Sequence, residues 1–416
     1  MSGLMSKNAA VVGAGISGLY ACYLLEQQGY TVDLFEKSHR IGGRMSSVKK
    51  AGFILDRGFH VMQTGYPTAK EILDYDAMGC KPFEPGAMVI DCASKKVKIW
   101  RFSDPFRRPV KGFAGVFNLF TSPFNLLRVG LMRLRISRVK DNQLFSEKSS
   151  TTLEYLRSRG FSERFIRRFF RPLFGGIFLE SQLRTDSRMF KFVFKNMSRG
   201  NMVLPENGIS ACPQQLFQRL KDTNLKLNAE VEMVSDKTLI FEGEQRSYDF
   251  VIRAHTPTND CLTRDAWTLY FAAPQSPIKG KYILLNSNIE QEHGLISHLA
   301  VPSDIQPSYA PEGQSLIAVT VVGEDAKNHS LSDETAVEKS VIAELTRWFP
   351  EQISSWRTLD VQYTQSALPE LAGDHYDNLN SRNHEFSCGD HTFHGSVEGA
   401  LISARLAVEQ ALKIEA

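Results

Sequence analysis

A glycine-rich turn close to the start of the chain constrains its fold more than any other feature. Gly13 and Gly15 lie between an apolar run that begins near residue 9 and a predicted helix over residues 16–28, and Gly18 lies in the first turn of that helix. Gly13 allows a strand to turn sharply, Gly15 leaves room for an anion, and Gly18 lets a helix pack closely on a sheet. The N–H groups and dipole at the start of that helix attract a phosphate. The pattern therefore predicts the first strand, turn and helix of a doubly wound α/β domain.

The next apolar run supplies the second half of a dinucleotide site. Gly29 is placed to stop the helix, and residues 31–36 form a short strand-like run that ends at Glu36. A carboxylate at this distance from the glycines binds a ribose 2′-hydroxyl and repels a 2′-phosphate. The sequence thus predicts an adenine dinucleotide other than NADP. The residues predicted to hold it are Gly13, Gly15, Ile16, Ser17, Gly18, Glu36 and Lys37.

Further motifs stand near both ends of the chain. A double glycine with arginine occupies residues 42–44, and Leu-Asp-Arg-Gly-Phe-His occupies 55–60. Cys-Gly-Asp follows at 388–390 and Gly-Ser-Val-Glu-Gly-Ala at 395–400, before an Ala-rich helix that should end near Lys413. Together these motifs resemble the flavin-containing amine oxidase superfamily, which includes amine oxidases, protoporphyrinogen oxidase and phytoene desaturases. The resemblance implies a non-covalently bound FAD.

The resemblance also implies roles for single residues. It places Arg44 against the pyrophosphate, where a fixed cation suits an anion. It places Gly389 and Asp390 at the ribityl and phosphate groups, and the helix start at Ser396 and Val397 against the flavin. A strand beside the adenine would pass at the position of Val231. The residues added to the predicted FAD site are Gly43, Arg44, Gly58, Val231, Gly389, Asp390, Ser396 and Val397.

These motifs predict a Rossmann-type FAD-binding domain that is discontinuous, with an inserted α+β substrate domain. A chain of 416 residues exceeds the usual size of a single core, so two domains are expected. The predicted FAD-binding domain comprises residues 1–70, 203–255 and 373–416, and the substrate-binding domain comprises residues 71–202 and 256–372. Residues 170–178 of the predicted substrate-binding domain and residues 204–209 of the predicted FAD-binding domain resemble phytoene-desaturase-like FAD oxidoreductases.

Alternation of apolar and polar residues predicts several more strands. Residues 225–234, 238–242 and 249–254 are expected to form a meander. Residues 267–271 and 281–285 are expected to lie in the sheet of the substrate domain, with inward faces that line an apolar pocket.

Charge is unevenly distributed although the net charge is only +3. Between residues 95 and 140 there are twelve Lys or Arg residues and one acid, and residues 151–200 contain eleven against four. Such faces attract anions. Within the first stretch, residues 113–138 are rich in Phe, Leu and Arg, as in a helix that lies on an anionic lipid surface. The alternative is that these are core helices that roof the substrate cavity. A nucleic-acid partner is not expected, since no binding module accompanies the charge.

The chemistry requires few protein groups, because a flavin itself accepts hydride at N5. His60, His391 and His394 lie inside the flavin motifs and are the candidates for proton transfer. Lys279 and Lys281 lie where amine oxidases carry a lysine, but in an unfamiliar context, which weakens an amine-oxidase interpretation. We expect no metal, because the cysteines and histidines lack ligand spacing.

The expected activity is dehydrogenation or desaturation of an apolar isoprenoid, polyene or lipid-like substrate, with reoxidation by oxygen or a quinone. An amine oxidase of the same fold and a redox-neutral isomerase that uses reduced FAD remain alternatives. The chain lacks a second nucleotide fingerprint, so reduction by NAD(P)H is not expected. Scattered cysteines, a short polar start and no long apolar run predict a cytoplasmic protein, with possible contact to a membrane surface.

Overall fold

The computed structural model describes residues 7–92, 97–103, 107, 122–255, 261–288, 294–371, 373–377 and 386–415. Its strands are β1 (Asn8–Val12), β2 (Thr31–Phe35), β3 (Ser47–Lys50), β4 (Phe53–Asp56), β5 (Met62–Gln63), β6 (Lys81–Pro82), β7 (Gly86–Asp91), β8 (Lys98–Ser103), β9 (Met202–Leu204), β10 (Thr223–Lys226), β11 (Glu232–Ser235), β12 (Thr238–Phe241), β13 (Glu244–Ser247), β14 (Phe250–Arg253), β15 (Thr263–Ala273), β16 (Leu284–Asn286), β17 (Ile296–Ala300), β18 (Ser315–Val322) and β19 (Arg357–Pro369).

Its α-helices are α1 (Ile16–Glu26), α2 (Pro67–Ile72), α3 (Pro123–Arg138), α4 (Asp141–Phe145), α5 (Thr152–Ser158), α6 (Glu163–Phe165), α7 (Arg171–Phe178), α8 (Ser187–Arg199), α9 (Ala211–Phe217), α10 (Pro302–Ile305), α11 (Gly323–Asn328), α12 (Glu334–Trp348), α13 (Gly373–Asp377) and α14 (Val397–Glu415). A π-helical turn, Ile166–Phe170, joins α6 to α7, and two 3₁₀ turns occupy Pro307–Tyr309 and Ile353–Ser355.

A four-stranded parallel sheet, in the order β10-β2-β1-β14, organises the two ends of the chain. Helix α1 returns the chain from β1 to β2, as the glycine spacing predicts, and Gly29 ends this connection with a φ of +80°. The last helix, α14, packs against α1 through a core rich in alanine, including Ala404 and Ala407. Residues from both termini therefore share one hydrophobic core.

A seven-stranded sheet, in the order β19-β15-β18-β17-β16-β7-β8, forms the second large layer. It is antiparallel except where β16 pairs with β7. One face packs on α12, and the other packs on a core of phenylalanine side chains from α6, α7, α8 and the π-helical turn. The predicted strands over 267–271 and 281–285 correspond to parts of β15 and β16.

The predicted meander is wrong in two of its three strands. Residues 225–234 are split between β10, in the parallel sheet, and β11, because Asn228 makes a turn with a φ of +51°. Residues 249–254 contain β14, which pairs with β1, and the third strand of the meander is β13. Alternation identifies a strand, but it does not show which neighbour that strand pairs with.

Three of the four cations of α8 are buried rather than displayed on a surface. Arg188 is 0% exposed and makes ion pairs with Asp186 at 2.9 Å and Asp377 at 2.6 Å. Lys191 and Lys195, also buried, make ion pairs with acidic side chains of the preceding segment. These cations are neutralised internally, so the excess over residues 151–200 overstates the positive charge that a partner would meet.

Candidate functional site

The turn between β1 and α1 forms a backbone cradle. Gly13 has a φ of +110°, and a Cβ atom on Gly18 would lie 1.9 Å from the Gly13 carbonyl oxygen, so these two positions require glycine. A Cβ on Gly15, in contrast, would meet no atom within 4 Å. Within the described residues, the start of α1 has neither a side-chain cap nor an acidic residue in its first turn. The cradle is open and electropositive, as a pyrophosphate requires.

Glu36 is fixed beside this cradle. Its Oε2 accepts a hydrogen bond from the Ala14 N–H at 2.8 Å, and its Oε1 accepts bonds from the Ser38 N–H and hydroxyl at 2.9 and 2.7 Å. The Ala229 N–H donates to the Glu36 carbonyl at 2.9 Å, which brings the half-buried Val231 to the same end of the site. Lys37 is exposed. Glu36 and Val231 thus lie together where the adenosine is predicted to bind.

The double glycine lies against the cradle. The Gly42 N–H donates to the Ala14 carbonyl at 2.8 Å, and a Cβ on Gly43 would lie 3.5 Å from the Gly15 Cα. Arg44 then extends to the opposite end of the chain, because its Nη2 lies 2.5 Å from Asp390 Oδ1. The carboxylate raises the pKa of the Arg44 guanidinium, which keeps its charge.

The second bond of Arg44 goes to the seven-stranded sheet. Its Nη1 donates to the Ala367 carbonyl at 3.0 Å. The preceding residue, Ser366, has a φ of +55° within a bulge of β19, and its N–H donates to Asp265. The guanidinium therefore joins the glycine motif, the C-terminal motif and the seven-stranded sheet.

The C-terminal motif continues the parallel sheet. The Cys388 N–H donates to the Arg253 carbonyl at 2.8 Å, and Gly389, with a φ of +142°, donates its N–H to Ser403 Oγ at 2.9 Å. Ser396 caps α14 by accepting a bond from the Gly399 N–H at 3.1 Å. The start of a 19-residue helix is thereby held next to Asp390.

The Gly58 turn is hydrogen-bonded to the seven-stranded sheet. Gly58 has a φ of +83°; its N–H donates to Gln362 Oε1, and its carbonyl accepts bonds from the Tyr270 hydroxyl and His60 Nδ1, each at 3.1 Å. Since a carbonyl only accepts, the proton of His60 lies on Nδ1. Desolvation, with help from the charges of Arg44 and Arg57, lowers the pKa of His60 to about 4. At neutral pH this imidazole is uncharged.

Comparison with known proteins identifies the family. The family model described as flavin-containing amine oxidoreductase matches residues 16–259 and 284–412. The chain belongs to this family. This membership confirms the predicted superfamily, the Rossmann-type fold class, an FAD-dependent oxidoreductase and FAD as cofactor.

Individual curated relatives match only short segments of this flavin oxidoreductase. Protoporphyrinogen oxidase 2 of Arabidopsis thaliana is 44% identical over 68 residues, which are 16% of this chain and 13% of the relative. A 4,4′-diapophytoene desaturase of Staphylococcus aureus is 49% identical over 49 residues, 12% of this chain and 10% of the relative. The matched segment is thus a small part of each curated relative. An oxidoreductase from Methanosarcina mazei has a similar structure, with a TM-score of 0.74 and 17% identity over 97% of this chain and all of the other.

The residues of this family member fit FAD. The open Gly15 cradle, the uncapped start of α1 and the fixed cation of Arg44 suit a pyrophosphate, and the carboxylate of Glu36 suits a ribose. The described residues contain no group of three or more His, Cys, Asp and Glu side chains arranged to hold a metal ion.

The other two histidine candidates of the flavin oxidoreductase differ from each other. His394 is fully buried between Phe145 and Phe192, with ring centroids at 5.1 and 4.4 Å, and its Nδ1 lies 3.0 Å from Ser396 Oγ. Burial lowers the pKa of His394 to about 3. His391 is partly exposed and its ring lies over Gly389, where a Cβ would approach it to 2.6 Å. His394 therefore sits behind the helix cap, whereas His391 lies beside the Gly-Asp motif.

Lys279 is exposed and Lys281 partly exposed, both between β15 and β16. Sequence reasoning did not single out Asp56, which accepts bonds from Ser47, Ile209 and Tyr309 and whose pKa burial raises to about 6. It also missed His298 on β17, since a single histidine in a buried strand carries no motif.

Proposed function

We propose that this flavin oxidoreductase dehydrogenates or desaturates an apolar substrate of the isoprenoid, polyene or lipid-like class. The observation that carries the proposal is the apolar side of the Gly58 turn. The Phe59 ring packs edge-on against Phe83, with ring centroids 6.5 Å apart, and is tilted against His298, with centroids 5.4 Å apart, next to a core dominated by phenylalanine. Such a surface favours a substrate with large apolar area. The curated relatives named for diapophytoene desaturation and protoporphyrinogen oxidation support the same class.

FAD, when bound, would accept a hydride from the substrate and pass the electrons to oxygen or a quinone. The chain's own groups bind and orient. Arg44 and the starts of α1 and α14 hold the cofactor, while Phe59 and its neighbours exclude water. His60 and His391 remain the candidates for holding a proton, because both lie at the flavin motifs. We assign His394 to positioning of the Ser396 cap, since it is enclosed by aromatic rings.

Rapid anaerobic mixing of the holoprotein with 4,4′-diapophytoene and with protoporphyrinogen IX tests the proposal. At least one should bleach the oxidised flavin band, air or a quinone should restore it, and the product should have lost two hydrogens. Bleaching by cyclohexylamine or putrescine instead, with peroxide formed in air, would establish the amine-oxidase alternative. A product of unchanged mass would establish the isomerase. Rapid flavin reduction by NADPH alone would overturn the oxidative direction proposed here.

We also propose that α3 brings this protein to an anionic lipid surface. Met132 and Ile136 of α3 are buried, as the core-helix alternative requires. The opposite face exposes an apolar stripe at helical spacing, formed by Phe124, Leu127, Leu131 and Leu134. Residues 113–120, the aromatic first half of the predicted segment, lie outside the described residues.

Charge complementarity supports a lipid partner for this stripe. Arg128, Arg135 and Arg138 lie beside or within it on the helix surface, whereas Arg133 points to the Ser198 carbonyl at 3.1 Å. Exposed apolar side chains flanked by arginines match the acyl and headgroup layers of an anionic bilayer. Among the described residues, no helix is long and apolar enough to cross a membrane.

A further inference from the structure

His298 is a buried polar side chain of the seven-stranded sheet. It lies on β17 and is 8% exposed. Among the residues that the structure describes, neither of its ring nitrogens has a hydrogen-bond partner. Buried polar groups are nearly always hydrogen-bonded to protein or water. The imidazole therefore retains the capacity to bind a ligand.

The surroundings of His298 show which side of the sheet it faces. A Cβ added to Gly176 of α7 would lie 2.6 Å from His298 Nδ1, so glycine at this position leaves room for the ring. On the adjacent strand, Thr320 stands directly opposite His298, and directly opposite residues project from the same face. Thr320 Oγ1 is also buried without a partner among the described residues. Two unpartnered polar groups thus share one face.

That face is turned toward the Gly58 turn. Tyr270 pairs with Ala318, which is two residues from Thr320 on β18, so the side chains of Tyr270 and Thr320 project from the same side of the sheet. The Tyr270 hydroxyl donates to the carbonyls of Asp56 and Gly58. Phe59, between Gly58 and His60, contacts the His298 ring at 5.4 Å. His298 is therefore one aromatic side chain away from the predicted flavin motif, within the region proposed to receive substrate.

The chemistry of this group limits its ligand. Desolvation lowers the pKa of His298 to about 4, so at neutral pH the ring presents one donor and one acceptor and carries no charge. A hydroxyl or carbonyl group pairs with such a ring. A carboxylate would remain uncompensated in this buried position.

From this placement we infer that His298 is a specificity-determining residue that hydrogen-bonds an oxygen atom on an otherwise apolar substrate. The inference rests on the proposed function and deepens it: among isoprenoid and polyene substrates, those that carry a hydroxyl or carbonyl group bind more tightly than pure hydrocarbons.

A matched pair of probes tests this assignment without turnover. All-trans-farnesol and β-farnesene share an isoprenoid chain, and only farnesol carries a hydroxyl. Their Kd values for the holoprotein are measured from perturbation of the flavin absorption spectrum, for wild type, His298→Phe, His298→Gln and the exposed control His329→Phe. Retained flavin absorption shows that each variant is folded.

Loss of a buried hydrogen bond that leaves a hydroxyl unpaired should weaken farnesol binding about tenfold in His298→Phe. Binding of β-farnesene should change less than twofold, His298→Gln should restore most of the farnesol affinity, and His329→Phe should behave as wild type. Equal losses for both probes, or an unchanged farnesol Kd in His298→Phe, would overturn the assignment but leave the apolar-substrate proposal intact. Failure of wild type to bind either probe would overturn both.

Discussion

Arg44 carries the clearest expectation at the scale of single residues. Its guanidinium pairs with the nearly buried Asp390 and donates to the Ala367 carbonyl. A charge-assisted contact between this guanidinium and the pyrophosphate would contribute roughly 1.5 to 3 kcal/mol, so Arg44→Ala should weaken FAD binding by about one to two powers of ten. The FAD affinity of Arg44→Lys should lie between those of wild type and Arg44→Ala, because lysine keeps the charge but not the paired donors of the guanidinium. Fluorescence titration of apoprotein gives the Kd, with exposed Lys49→Ala as control. An unchanged Kd in Arg44→Ala would remove Arg44 from the site.

Glu344 makes stability depend on pH. Its buried carboxylate accepts bonds from the N–H groups of Leu295 and Ile296 and from the Asn286 amide, each at 2.9 Å. Burial raises its pKa to about 7, against about 4.3 in an unfolded chain. Between these values the native state binds more protons, so the free energy of unfolding falls as pH rises from about 4 to about 7, by roughly 1 to 3 kcal/mol.

Denaturant unfolding across that pH range checks the direction. Glu344→Gln should show a flatter pH profile than wild type, because the variant side chain does not titrate. Glu334→Gln, at the exposed start of the same helix, should keep the wild-type slope. Parallel profiles for wild type and Glu344→Gln would contradict the expected role.

At the scale of elements, prediction succeeds where the signal is local. The glycine spacing and Glu36 define β1, α1 and β2 because each depends on backbone conformation within a few residues. The predicted position of residues 249–254 in the meander was wrong because strand pairing is decided by residues distant in sequence: β14 pairs with β1. The positive charge predicted for residues 151–200 was overestimated for the same reason. Asp377, one of the two acidic partners of Arg188 on α8, lies almost two hundred residues away in the sequence. The periodicity of α3 does not show by itself which of its faces is exposed. The burial of Met132 and Ile136 in the structure decides this.

Helix α3 makes the testable prediction at this scale. Changing Arg128, Arg135 and Arg138 to Glu should abolish cosedimentation with phosphatidylserine vesicles, since each cation near an anionic surface contributes on the order of 1 kcal/mol. Wild-type binding should fade with salt and be absent with phosphatidylcholine vesicles. Leu131→Gln should weaken binding without changing the charge. The control carries the same change at three exposed lysines elsewhere, Lys49, Lys221 and Lys339. If wild type ignores anionic vesicles at low salt, the stripe has another role.

Across the whole molecule, the candidate site is assembled from segments far apart in sequence. The motifs were predictable because each has a local pattern, and the resemblance indicated that they meet. The contacts that join them depend on packing that no local pattern encodes. Arg44 pairs with Asp390 and donates to the carbonyl of Ala367, on β19 of the seven-stranded sheet. His298 was not predicted for the same reason, since its proposed role depends on its contact with Phe59 and on Thr320 opposite it in the sheet.

FAD binding should therefore stabilise the whole chain. A ligand that binds only the native state adds RT ln(1 + [L]/Kd), about 2.7 kcal/mol at a hundredfold excess over Kd. The Tm of apoprotein should rise with FAD concentration. FMN, which lacks the adenosine that Glu36 and Val231 are predicted to hold, should raise it less at equal concentration. A Tm that does not respond to FAD, or that responds equally to FMN, would contradict the predicted site.

The ion pair between Arg44 and Asp390 also sets an order of events during protein synthesis. Domains usually fold as the nascent chain emerges, starting from the N-terminal side. Here the glycine cradle emerges before its partners, because Arg44 has no Asp390 to pair with, and α1 has no α14 to pack against, until residues 390–415 have left the ribosome. The site therefore cannot be complete before that segment has been synthesised, and chains stopped before Asp390 should accumulate without flavin.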